Sequence, residues 1–296
     1  MPTPYLGQRI AALCVGLLTS CHFLGTYSST FDRHPAVGVI LEKGVQPLLV
    51  RARQLSPSSV SHVFPITPDW QQVWLLRDRG SWGLDNLEVR SDSSGQILRV
   101  YYPSGSASPI VTSRDGAPLG GAQFYAPLPG AAQTAMRLRY RLRFSDNFDF
   151  VRGGKLPGLY GGGGNSGGNI PDGTDGFSTR LMWRSQGAGE VYAYLPSSER
   201  YGTSIGQGAW QFQTGRWYIL EQELRLNQPG QANGQLRLWV NGRLVVEETD
   251  LVFRTVDTLE VNGLFFSTFF GGGDASWATP RDVYIDFSDF SLTALS

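Results

Sequence analysis

Residues 150–196, FVRGGKLPGLYGGGGNSGGNIPDGTDGFSTRLMWRSQGAGEVYAYLP, carry the pattern that decides the fold. Along a strand, successive side chains point to opposite faces. In GFSTRLMWR this puts Phe177, Leu181 and Trp183 on one side and Ser178, Arg180, Met182 and Arg184 on the other. In EVYAYLP, Val191, Ala193 and Leu195 share one face, and Tyr192 and Tyr194 share the opposite one. The intervening SQGAGE supplies the glycines that a hairpin loop of this length uses. With the apolar faces turned to a core, Ser178, Arg180, Tyr192 and Tyr194 stand side by side on an open surface. Lys155, on an edge before the glycine-rich loop, is expected to reach that surface if the loop folds back. Cations, phenols and a hydroxyl on one sheet face suit an acidic sugar polymer.

The same alternation recurs outward from this stretch. Beyond Pro68, strand-like runs follow one another with turn signals between them: QQVWLLR, NLEVRS, ILRVYYP, AQFYAPL, TAMRLRYRLRF, WYILEQELRLN, QLRLWVN, RLVVEETD, LEVNGLFFSTFF and DVYIDFSDFSL. Asn233-Gly234 and Asn241-Gly242 read as hairpin turns. The expectation is an all-β chain, an antiparallel β-jelly roll whose two-sheet sandwich leaves a concave substrate groove. No helix is expected past the N-terminal apolar segment, and no internal repeat is visible. In MRLRYRLRF, Met136, Leu138, Tyr140, Leu142 and Phe144 take one face, and Arg137, Arg139, Arg141 and Arg143 take the other. Two readings stay open for these arginines. They are a solvated outer face, or Arg139 and Arg141 join Arg184 in binding a polyanion, which requires this strand to lie in the groove sheet.

Composition narrows the function classes. The 296 residues hold 25 Lys+Arg and 25 Asp+Glu, and a formal charge of zero argues against a general nucleic-acid binder, which carries a basic excess. Both cysteines, Cys14 and Cys21, lie near the start, so the strand-rich region has neither disulfide nor cysteine metal site. His22, His34 and His62 all precede it, which disfavours histidine triads and histidine zinc sites. Neither metal nor cofactor is expected. Lysine occurs only at Lys43 and Lys155. An arginine-preferring genome explains the scarcity, yet a lysine kept in GGKLPG fits a need for an amine, which can lose its proton where a guanidinium cannot.

Residues 1–21 read as an export signal: Arg9 gives the positive start, and IAALCVGLL is apolar but too short to span a bilayer. Leu18-Thr19-Ser20-Cys21 resembles a bacterial lipobox, with Cys21 the residue to be lipidated; cleavage by an ordinary secretory route is the alternative. Residues 22–67 read as a linker or N-terminal wrap, and 68–296 as the jelly-roll domain. The chain is expected to be exported, to the periplasm, the medium or a lipid anchor at the envelope, and to act as a monomer.

Taken in order, FVRGGKLPGLYGG, GFSTRLMWR, GEVYAYLP, LRLNQPGQANGQLRLWVNGR and LFFSTFFGGGDASWATPRDVYIDFSDF resemble polysaccharide lyase family 14 over roughly Gln71 to Leu292. The resemblance implies an alginate or glucuronate lyase on a β-jelly roll. It places the family's catalytic lysine on Lys155, its serine and arginine on Ser178 and Arg180, and its tyrosine pair on Tyr192 and Tyr194. Such a lyase removes the weakly acidic C5 proton beside a carboxylate and expels the 4-O-linked sugar. Positive groups must hold the carboxylate and stabilise an enolate-like intermediate. Arg180 suits bidentate carboxylate binding, with Ser178 adding a hydrogen bond. Tyr192 or Tyr194 serves as base or acid if nearby cations lower a phenol pKa. Lys155 is either a second carboxylate neutraliser or the base.

Other features have plainer readings. GGGGNSGG lacks the Gly-Lys-Ser/Thr of a phosphate loop and reads as a mobile loop beside the cleft. DGTDG reads as a turn rather than a calcium loop. Trp183, Trp210, Trp217, Trp239 and Trp277 read mostly as core, with a sugar platform among them. Two competing classes remain: a non-catalytic module binding acidic polysaccharide, and a glycoside hydrolase, which needs two flanking carboxyls. The hydrolase ranks last because no acidic residue is expected beside the Tyr-x-Tyr pair.

Overall fold

The computed structural model describes residues 60–295 apart from 94 and 131; the stretch read as an export signal, Cys21 and most of segment 22–67 lie outside the described residues. In chain order the strands are β1 Ser61–Val63, β2 Leu87–Asp92, β3 Gly95–Tyr102, β4 Ala122–Pro127, β5 Ala135–Phe144, β6 Gly153–Gly162 and β7 Gly176–Arg184. They continue as β8 Gly189–Tyr194, β9 Thr203–Ile205, β10 Trp217–Arg225, β11 Gly234–Val240, β12 Arg243–Leu251, β13 Val261–Phe270 and β14 Val283–Ala294. Two short helices intervene, α1 Trp70–Val73 and α2 Pro109–Asp115. Every described pairing is antiparallel. The larger sheet runs β12-β11-β10-β5-β14-β3-β2 with β1 added beside β14; the smaller runs β4-β13-β6-β7-β8-β9. This two-sheet arrangement is the expected jelly roll.

Alternation explains the layering. On β5 the five apolar side chains from Met136 to Phe144 are buried, while the arginines between them stay partly exposed. From the smaller sheet, Phe124, Leu156, Leu159, Leu181, Trp183, Val191 and Phe266 meet them. Phe124 and Phe266 stack with centroids 4.4 Å apart, a geometry that adds to plain area burial.

A single irregularity in the middle of β6 decides which of its side chains face out. The register against β7 shifts between Leu156 and Gly158, at Pro157. Proline has no N–H for the ladder and is tolerated inside a sheet only at such a bulge. The backbone groups are satisfied from the opposite sheet. Tyr140 Oη donates to the Pro157 carbonyl at 3.0 Å, and the Leu159 N–H donates to Gln222 Oε1 at 3.1 Å. Gln222 occupies an inward slot of β10 between Leu220 and Leu224, and its Nε2 donates to the Thr179 carbonyl at 2.7 Å. The extra residue flips the alternation, so Lys155 and Tyr160, five positions apart, share the open face.

Several expectations need correction. QQVWLLR is not a strand: its first part forms the one-turn helix α1, with Trp70 and Trp74 packed edge-on at 5.2 Å. The i, i+4 spacing brings the two indoles to one side. PIVTSRD forms a further helix, α2, with proline in its first turn. Asn241-Gly242 does turn the β11–β12 hairpin, with both residues at positive φ. Asn233-Gly234 does not: β10 ends at Arg225, and Asn233 instead accepts the Gln228 N–H within a longer loop. Within the segment read as linker, β1 pairs with β14, and Phe64 and Ile66 enter the core.

Candidate active site

The open face of the smaller sheet is built from alternate residues of adjacent strands. Lys155 sits in β6, a strand between β13 and β7, rather than on an edge or in a loop. Register then aligns the rows. Lys155 lies opposite Met182, which lies opposite Glu190; Gly158 lies opposite Arg180, which lies opposite Tyr192; Tyr160 lies opposite Ser178, which lies opposite Tyr194. Directly opposed side chains on neighbouring strands start about 5 Å apart. Lys155, Ser178, Arg180, Tyr192 and Tyr194 therefore come together. Gly158 has to be glycine, since a Cβ there would lie 2.1 Å from the Thr179 carbonyl oxygen.

Each of these groups has a defined environment. Lys155 is half-buried; its Nζ donates to Met182 Sδ at 2.7 Å and lies 3.7 Å from the Tyr192 ring centroid. Burial pushes the Lys155 amine well below the usual lysine range, Arg180 and Arg184 push it further, and Glu190 opposes them. Arg180 is 3% exposed; Nη1 donates to Ser267 Oγ at 3.0 Å, and Nε is buried without a partner. Its guanidinium rests 4.9 Å from the Phe265 centroid, and burial works against its charge, yet a guanidinium keeps its proton in proteins. The orphaned N–H and uncompensated charge make Arg180 a ready partner for an incoming carboxylate.

The tyrosines depart from expectation. Tyr192 is pushed up to about 12, by burial first and then by Tyr194, while Arg180 only partly opposes. The nearby cations do not bring this phenol toward neutrality, so it carries its proton at neutral pH. The Tyr192 and Tyr194 rings meet edge-on at 5.7 Å, and a Cβ on Gly202 would touch both rings. Tyr194 Oη accepts the Gly168 N–H at 3.0 Å. Ser178 is fully buried and its hydroxyl donates to the Asn165 carbonyl at 2.5 Å. That proton is therefore engaged in holding the glycine-rich segment, not offered to a substrate carboxylate.

Three arginines expected to bind substrate stand elsewhere or are already paired. Arg139 and Arg141 belong to β5, in the larger sheet, on the side away from the core, so the groove reading of that strand fails. Arg141 bonds Asp289 at 3.1 Å and covers the Trp217 ring at 4.6 Å; Arg139 lies opposite Glu221. Arg184 is on the open face, but Glu190 holds it through Oε1, at 2.9 Å from Nε and 2.6 Å from Nη2. Glu190 was missed by sequence reasoning. It precedes Tyr192 by two in GEVYAY, so an acidic residue does accompany the tyrosine pair, and alternation alone would have revealed it. Met182, also on this face, gave no polar signal that would mark it as the lysine's partner.

Trp183 and Trp210 are buried, while Trp217 and Trp239 lie under arginines of the larger sheet. In DGTDG, Asp172 Oδ1 accepts the Thr174 N–H at 2.7 Å and the Asp175 N–H at 3.2 Å, as a turn does. Among the described residues no group of three or more His, Cys, Asp or Glu could hold a metal ion.

Comparison with known proteins fits this face. The family model for polysaccharide lyase 14 matches residues 90–290. A marine PL-14 alginate lyase from Aplysia kurodai is 30% identical, with a TM-score of 0.68 over 81% of this chain and 100% of that one. An alginate lyase solved with an alginate trisaccharide shares the fold at 23% identity and TM-score 0.66, over 81% of this chain and 99% of that one. An endo-β-1,4-glucuronan lyase from the fungus Trichoderma reesei has a TM-score of 0.50 at 11% identity, over 74% of this chain and 90% of that one. No curated protein sequence matches.

Proposed function

The chain belongs to polysaccharide lyase family 14, whose enzymes cleave uronic-acid polymers, and we propose that alginate is the polymer it cleaves. The observation that carries the reading is Arg180, a buried and uncompensated cation with a free N–H, flanked by a depressed amine and a protonated phenol. Arg180 takes the carboxylate of the uronate whose bond is cut and stabilises the charge that develops on it. Lys155, whose amine burial and two arginines hold well below the usual lysine range, takes the C5 proton as general base. Tyr192 donates its proton to the departing 4-oxygen as the C4–O bond breaks and the C4–C5 double bond forms. Lys155 thus fits the base better than the carboxylate neutraliser, because burial beside Arg180 and Arg184 disfavours the charged form that a neutraliser needs.

Alginate is preferred to glucuronan because the relative at 30% identity is an alginate lyase, whereas the glucuronan lyase is similar in fold alone. The signal read in residues 1–21 suits an exported enzyme that meets its polymer outside the cytoplasm, with Cys21 as a lipid anchor. The test is ultraviolet absorbance of the unsaturated product from alginate, its mannuronate-rich and guluronate-rich blocks, and poly-glucuronate. Alginate alone should raise the absorbance, and Lys155→Ala should abolish the rise. A rise with poly-glucuronate only would replace the substrate; binding of alginate without any rise would favour a non-catalytic module.

A further inference from the structure

Glu190 is a fully buried carboxylate next to the one lysine in the described chain, and the chemistry above does not use it. Its bond to Arg184 is lopsided. Oε1 receives both guanidinium N–H groups, while Oε2 is buried with no partner. A pair that served only stability would engage both oxygens, since an uncompensated buried carboxylate oxygen is costly. Register puts Glu190 directly across from Met182, whose sulfur receives the Lys155 amine. Arg184 itself lies 5.9 Å from the Tyr192 ring centroid, and that ring lies against Lys155.

We propose that Glu190 is a positioning residue for Lys155: it holds Arg184 in place, cancels that cation, and leaves one carboxylate oxygen to balance the amine. The charged and titratable groups that face Lys155 are few. β7 presents Arg180 and Arg184, β8 presents Glu190, Tyr192 and Tyr194, β6 itself carries Tyr160, and the β13 neighbours Ser267 and Phe269 carry no charge. Two cations are therefore set against a single carboxylate. Without Glu190, the remaining charges on this face both disfavour the protonated amine, and the base holds the proton it abstracts less well. The role rests on the lyase reading of Lys155, but its test does not.

Because lysine occurs only at positions 43 and 155, ε-13C-lysine labelling of the full chain gives two resonances, assigned by a Lys155→Met spectrum. The Lys155 midpoint is read directly by titration, with or without activity. Glu190→Gln removes the negative charge and keeps the shape, so the midpoint should fall by about one pH unit. Arg184→Met removes the competing cation, so the midpoint should rise by a similar amount. The acid limb of alginate cleavage should move with it in both variants. Opposite shifts are not expected from loosened packing, which would move both variants the same way. An unmoved midpoint in folded Glu190→Gln, or shifts of one sign in the two variants, overturns the assignment. If Glu190→Gln does not fold, Arg184→Met decides alone, and an unmoved or lowered midpoint overturns it. Opposite shifts in a protein that cleaves no uronate polymer would uphold the assignment and sink the lyase reading instead.

Discussion

Gln222→Leu would test how the larger sheet holds β6, the strand that carries Lys155. The side chain is 1% exposed and contacts both β6 and β7: it accepts the Leu159 N–H at 3.1 Å and the Thr179 hydroxyl at 3.3 Å, and donates to the Thr179 carbonyl at 2.7 Å. Leucine fills a similar volume but leaves the Leu159 N–H without its acceptor in a dry core. One orphaned backbone donor costs about 1–3 kcal/mol, and the weakened carbonyl and hydroxyl add about 1 kcal/mol more. Burying an apolar side chain in place of an amide returns about 1 kcal/mol. The net expectation is a loss of about 1–3 kcal/mol.

For a domain of this size that lowers Tm by about 2–12 °C, readable by tryptophan fluorescence. Since Lys155 and Tyr160 face the same way only through the Pro157 bulge, kcat should also fall, by up to about 10²-fold. A folded variant with a Tm within about 2 °C of wild type and unchanged kcat would refute the argument that Gln222 locks the bulge.

Three further outcomes follow from the site. Tyr192→Phe removes the leaving-group acid and should lower kcat by about 10²–10⁴-fold with KM little changed; a loss expressed mainly in KM would assign the phenol to binding. Lys155 holds fewer protons folded than unfolded between its depressed value and the free-lysine value of about 10.4, so folding stability should gain with rising pH in that window. Urea midpoints of wild type and Lys155→Met compared from pH 7 to 9 should converge as pH rises, and parallel curves would contradict the depressed amine. Arg139→Ala and Arg141→Ala should leave kcat/KM on alginate within about twofold, and a tenfold loss in either would place substrate on the larger sheet.

The fold was legible where one face of a strand is buried and the other is not. MRLRYRLRF, GFSTRLMWR and GEVYAYLP announce their own inward and outward sets, because a one-residue slip would expose every apolar side chain. Non-local choices were not legible. Nothing within MRLRYRLRF says whether its neighbours will be β10 and β14 or a strand of the groove, so Arg139 and Arg141 could be placed only by the sheet order. WQQVW reads as alternating as readily as helical over so short a span, and two indoles seeking the same pocket decided it. Lys155 was recognisable by its motif, but its central position depends on Pro157 and on Gln222 and Tyr140, 65 residues after and 17 before it. Glu190 was legible and passed over, because the count of acids stopped at the tyrosines.

The two outer faces of the sandwich differ in how their charge is matched. On the larger sheet Arg99 and Arg143 share Asp286, Arg137 and Arg225 share Glu223, and Arg237 reaches Glu247. On the smaller sheet Arg180 has no acid. Arg180, 3% exposed, is therefore a charge that neither water nor an acid answers, whereas the cations of the larger sheet stay partly exposed beside carboxylates. A substrate carboxylate that reaches Arg180 meets it where burial has already removed water, so their attraction is screened far less by added electrolyte than that of a surface pair. The arrangement lets a chain of zero net charge grip one carboxylate firmly without the nonspecific stickiness of a basic protein, which suits an enzyme that must leave one long anionic strand to find the next.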